Sequence, residues 1–113
     1  MNVMSNTRYI RSAYWIGAAK PGARTRFEDF MNHDILPTLR QLPGVHAARS
    51  LWPTKLEDQP PNVACQVLVE FTSREDFDRM LASPERQAMR AKVKELVALF
   101  DGAISHIEYE VGP

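Results

Sequence analysis

Cysteine is almost missing from this chain: Cys65 stands alone among 113 residues. No internal disulfide can form and no thiolate set for zinc exists, so a reducing compartment, the cytoplasm, is the expected location. Histidine is scarce as well. His33, His46 and His106 are too scattered to bring ligands together at the short spacing of a metal site, and no metal is expected. Neither sign of charge is in excess: fourteen basic and fourteen acidic residues are interspersed to a formal net charge of zero. That balance points away from nucleic acid and from anionic membranes. No apolar run is long enough to span a bilayer. Ser12 to Ala19, behind Arg8 and Arg11, reaches only the lower limit of a signal-peptide h-region, so export is not expected. Glycine-rich phosphate loops, nucleophile elbows and iron-ligating spacings are absent, and the expected cofactor set is therefore none.

What is present is enough for one core. A hydrophobic content of 44% in 113 residues gives a single domain over residues 1–113, with a polar, frayed lead at 1–7. The most informative stretch is Arg24 to Val45. Thr25 and Glu28 fit the Ser/Thr-x-x-Glu capping box, which predicts a helix start there. Phe27, Phe30, Met31, Ile35, Leu39 and Leu42 recur at steps of three and four and predict one buried face. Pro37 falls inside that run, predicting a bend, and Pro43-Gly44 ends it.

The remaining chain reads as strands and a second helical region. Arg8 to Ile16, Val45 to Trp52, Val63 to Phe71 and Ile104 to Val111 are strands by composition and by alternation. The second region starts at Ser73, is re-capped at Ser83-Pro84 and ends at Asp101-Gly102, with glycine as its left-handed cap. The order βαββαβ predicts an α+β, ferredoxin-like domain: a four-stranded antiparallel sheet with both helical regions on one face. The helix side is expected to take Cys65, Val67, Val69, Ile10, Tyr14, Ile16, Ala47, Leu51, Ile107, Tyr109 and Val111. The outer side would collect Tyr9, Arg11, Trp15, Trp52, Ile104, His106 and Glu108. Two tryptophans on an open face call for a second copy to cover them, and a homodimer is expected.

The βαββαβ order, Lys20-Pro21-Gly22 after the first strand, the Phe27/Phe30 helix with His33, and Leu42-Pro43-Gly44-Val45 together resemble the dimeric α+β barrel superfamily. Within it the chain is similar to EthD-like proteins and to antibiotic-biosynthesis-type monooxygenases, the Leu36-Pro37-x-Leu39 run looking like the latter. The resemblance implies a sheet-to-sheet dimer and a pocket inside each subunit between sheet and helices. It also implies membership among cofactor-free oxygenases, isomerases and cyclases, haem-handling proteins or proteins without an assigned role.

The candidate chemistry centres on Asp34, which sits within the apolar stripe where an isolated carboxylate is costly. It is expected either to act as a base beside a carbonyl substrate or to form a structural pair with Arg49; both readings place Asp34 and Arg49 in contact. Tyr14 would orient a substrate oxygen or serve by its ring alone. By the resemblance His33 is a pocket acid or base, whereas its angle on the helix turns it to the flank. Phe27 and Met31 would line the substrate space, and Cys65 would be a small apolar filler. The expected partner is a small apolar or aromatic molecule, with no nucleic acid and no membrane. The protein is then either a cofactor-independent enzyme of oxygenase, isomerase or cyclase type, or a non-catalytic binding protein with a vestigial pocket.

Overall fold

A computed structural model describes residues 6–58 and 60–113. The elements run β1 (Tyr9–Ala19), α1 (Arg24–Phe30), a π-helical turn (Met31–Ile35), α2 (Leu36–Arg40), β2 (Ala47–Leu51), β3 (Val63–Phe71), α3 (Arg74–Ala82), α4 (Pro84–Val97) and β4 (Phe100–Glu110). The four strands form one antiparallel sheet in the order β2-β3-β1-β4, the ferredoxin-like arrangement expected from the sequence. Among the described residues, no helix is long and apolar enough to cross a membrane.

The first helix departs from expectation at both ends of its logic. It begins at Arg24 without a side-chain cap, because Glu28 pairs with Arg24 at 2.9 Å instead of reaching back in a capping box with Thr25. Around Pro37 a widened turn forms. Proline has no N–H for the His33 carbonyl, and the chain shifts to π geometry just upstream, with the Leu36 N–H donating to the Met31 carbonyl five residues back. Met31 and Ile35 consequently point into the core together while His33 faces solvent.

The second helical region follows its capping signals closely. Ser73 accepts from the Asp76 N–H at 3.1 Å. The Ser83 hydroxyl donates to the Met80 carbonyl at 2.8 Å and accepts from the Arg86 N–H at 3.2 Å, closing α3 and opening α4 with one group. Gly102 is not the cap of that region. α4 ends at Val97, and Gly102 lies inside β4 opposite Gly17, with φ +147°. A Cβ on Gly102 would sit 2.0 Å from the Ile16 carbonyl oxygen, so the two glycines let the long strands β1 and β4 approach where they cross the sheet end.

The sheet faces are the main correction. Register pairs Tyr9, Arg11, Ala13 and Trp15 with Phe71, Val69, Val67 and Cys65, and residues directly opposite share a face. The helix side of β1 is therefore Tyr9, Arg11, Ala13 and Trp15, and that of β4 is Ile104, His106 and Glu108. Ile10, Tyr14, Ile16, Ala47, Leu51, Ile107 and Tyr109 lie outward, opposite to expectation. Trp15 is buried against Phe27 and Phe100, at centroid distances of 5.3 and 5.2 Å, and Trp52 packs on Phe27 at 6.1 Å. No tryptophan is on the outer face. The open face is apolar all the same, with Leu51 40%, Ile107 45%, Tyr109 38% and Val111 41% exposed. The frayed lead expected at 1–7 lies outside the described residues over 1–5. Thr7 is buried and donates to Glu70 at 2.9 Å, which ties that end to β3.

Candidate functional site

The sheet's helix side and the helices border a half-open cavity of about 520 Å³. Its walls are apolar: Met31 and Ile35 from the π turn, Val67 and Val69 from β3, Met89 and Val93 from α4. The size falls within the range that holds a drug-sized molecule. The polar groups come from two directions. β1 and β4 contribute Arg11 and His106, while α4 contributes Arg86, Arg90 and Lys94. No aspartate or glutamate is among the lining residues.

Arg11 is held in place by Glu108 at 3.0 Å, and the same carboxylate accepts from the Tyr9 hydroxyl at 2.9 Å. His106 sits beside Arg11 and Arg86. Burial of its inner side, and then the two guanidiniums, push its pKa below the usual histidine value, against a smaller opposing pull from Glu108. At neutral pH the imidazole is therefore uncharged. Burial pushes the Cys65 thiol up to about 12, which agrees with a filler and leaves no thiolate nucleophile at neutral pH. Among the described residues no group of three or more His, Cys, Asp or Glu side chains gathers to hold a metal.

Of the candidate catalytic and substrate-binding residues, Asp34, His33, Tyr14, Arg49, Phe27 and Met31, the structure brings Met31 alone to this cavity. Phe27 is buried one layer away in the aromatic cluster with Trp15 and Phe100. Asp34 does not meet Arg49. Its partner is Lys92 of α4, which also donates to Thr38 at 3.3 Å, and both members of the pair keep about two-fifths of their side-chain exposure, 39% and 42%. Arg49 points outward from β2 and pairs with Glu70 at 3.1 Å, because the register puts it opposite Leu68 on the outer face. Tyr14 is on that same outer face, its hydroxyl 2.7 Å from the hydroxyl of Tyr109. His33 is exposed, as is His46 just before β2.

The sequence reading missed Arg86, Arg90 and Lys94, although a signal was there. They recur every four residues, alongside Met89, Val93 and Val97 at the same interval, so one helix carries a cationic ladder next to an apolar one. A second opening of about 590 Å³ lies beyond Phe27, between Trp52, the 53–56 loop and the end of β1. Its charged groups are already matched, Arg24 with Glu28 at 2.9 Å and Lys55 with Glu57 at 3.5 Å. The first cavity is the better candidate because three of its cations, Arg86, Arg90 and Lys94, are not.

Residues 12–100 match the model of a family described as a domain of unknown function, DUF1330. Against curated proteins the sequence has no match. Among solved structures, an EthD family protein of Bacillus halodurans superposes with a TM-score of 0.73 at 10% identity, covering 93% of this chain and 99% of its own. A monooxygenase from the ActVA-Orf6 gene of Streptomyces coelicolor, solved with nanaomycin D, gives 0.67 at 12% identity over 96% and 90% of the two chains. A dimeric ferredoxin-like protein of unknown function from Jannaschia gives 0.63 at 22% identity over 91% and 99%. These likenesses establish the α+β ferredoxin-like fold.

Proposed function

We propose, for a chain that belongs to the DUF1330 family, that it binds a small apolar or aromatic molecule in the cavity between sheet and helices. The observation that carries this reading is the cavity itself: an apolar space of about 520 Å³ that ends on an uncharged imidazole flanked by Arg11 and Arg86. Such a constellation suits proton transfer. His106 would take a proton from an acidic C–H or O–H of the ligand, becoming imidazolium, and the guanidiniums would stabilise the enolate or phenolate left behind. That step begins an isomerisation, and it also begins the oxygenation of an electron-rich substrate by dioxygen. The similarity to a monooxygenase supports the second outcome by fold analogy. The reading calls for no nucleotide or metal, and it moves the acid–base role from Asp34, His33 and Tyr14 to His106.

The proposed assembly is a homodimer through the outer sheet face. Leu51, Ile107, Tyr109 and Val111 leave that face apolar, and a similar structure is described as dimeric. The test of binding is a thermal-shift screen of aromatic and polyketide-like compounds, repeated on Ala13→Phe, which fills the cavity floor. Compounds that raise Tm in the parent and not in the variant support the site. A panel without hits, or hits that survive Ala13→Phe, would refute it.

A further inference from the structure

The cations of the cavity are the feature that binding of an apolar body leaves unexplained. Arg86, Arg90 and Lys94 form no ion pair or side-chain hydrogen bond among the described residues, whereas Arg11, Arg24, Arg49, Arg74 and Arg79 each pair with a carboxylate. Their spacing puts three like charges on successive turns of α4, an arrangement that weakens a helix. Arg86 also sits in the first turn, where the helix dipole is positive and a cation is disfavoured. Arg11 adds a fourth positive charge from β1, across the cavity. Burial, and then Arg11 and Arg90, hold the Arg86 guanidinium below its usual range, which reports the same crowding.

We propose that Arg11, Arg86, Arg90 and Lys94 form a recognition site for an ionised carboxylate, so that the ligand is an apolar ring compound carrying one carboxylate group. This rests on the reading of the cavity as the binding site. The carboxylate lies along the α4 wall, where it accepts from the guanidinium N–H groups in bidentate fashion. The ring occupies the space between Met31, Val67 and Val93. Anion binding relieves the mutual repulsion of Arg86, Arg90 and Lys94, which have no ion-pair partner among the described residues, while Arg11 keeps Glu108 at 3.0 Å.

The experiment is titration calorimetry of the intact protein with 2-naphthoic acid and with its neutral match, 2-naphthamide, at low and high salt. The acid is expected to bind at least about tenfold more tightly, the worth of one charge-assisted contact, with the gap narrowing as salt screens it. Arg86→Gln and Arg90→Gln should shrink the gap and leave naphthamide binding unchanged. Arg86→Gln should also unfold at the same or a higher temperature than the parent, since it removes a crowded charge, so lost binding cannot be attributed to misfolding. Equal affinity for acid and amide overturns the carboxylate site while the cavity reading stands. Failure of both compounds to bind overturns the two together.

Discussion

Replacing Asp34 by asparagine measures how far the most conspicuous acid of the sequence is involved in either stability or binding. The carboxylate pairs with Lys92 between the π turn and α4, and the two side chains remain 39% and 42% exposed. Both ions keep much of their water, so the pair sits in the regime of exposed salt bridges, worth about 0.2–1 kcal/mol. A buried pair stripped of one partner would cost about 3–5 kcal/mol. Lys92 keeps the Thr38 hydroxyl, 3.3 Å away, as an acceptor in the variant. The expected outcome in urea unfolding is a loss of no more than about 1 kcal/mol, or a fall of roughly 3–6 °C in Tm. The loss should shrink further in high salt. Naphthoate affinity should not change, because Asp34 does not line the cavity. A loss of about 3 kcal/mol or more, the buried-pair regime, or a loss of binding, would refute this placement of the acid.

The other outcomes concern the strand crossing, the outer face and the imidazole. Gly102→Ala should destabilise the fold by at least about 1–3 kcal/mol in the same unfolding assay, since its φ is +147° and the new methyl would lie 2.0 Å from a carbonyl oxygen. Ile107→Lys puts a charge on an exposed outer-face position and should convert a dimer to monomer in light scattering. His106 has its pKa lowered, so the unfolded chain binds the extra proton first. Its neutral form costs nothing above about pH 6.5, and stability should fall as pH drops below that value, an effect that His106→Gln abolishes, while proton-accepting activity should persist to the lower pKa of the folded state.

Most of the architecture could be read from the chain because local signals and global fold agree there. β3 occupies Val63–Phe71 as alternation predicts, and Ser73 and Ser83 cap the helices that their positions announce. The faces of β1 and β4 were misread for a physical reason. Sorting by hydrophobicity sends Arg11, His106 and Glu108 outward and Ile107 and Tyr109 inward, whereas the register does the reverse. Arg11 and His106 turn to the helix side, where they line the cavity, and Glu108 follows to pair with Arg11. Apolar residues turn outward on a sheet face that, in the proposed assembly, a second copy covers. The same inversion brings His106 to the cavity, whose other charges come from the four-residue ladder of α4 and from Arg11, not from Asp34. Arg49 illustrates the general point, since a one-residue change of parity moves it from a supposed partner of Asp34 to Glu70, 3.1 Å away on the opposite face.

Three of the five methionines, Met31, Met80 and Met89, line the cavity, and their methyl groups give a direct view of its contents. Methyl-labelled methionine NMR with added 2-naphthoate should shift these three signals and leave the indole of Trp52, at the second opening, unmoved. Shifts confined to Trp52, with the three methyls unchanged, would contradict the account.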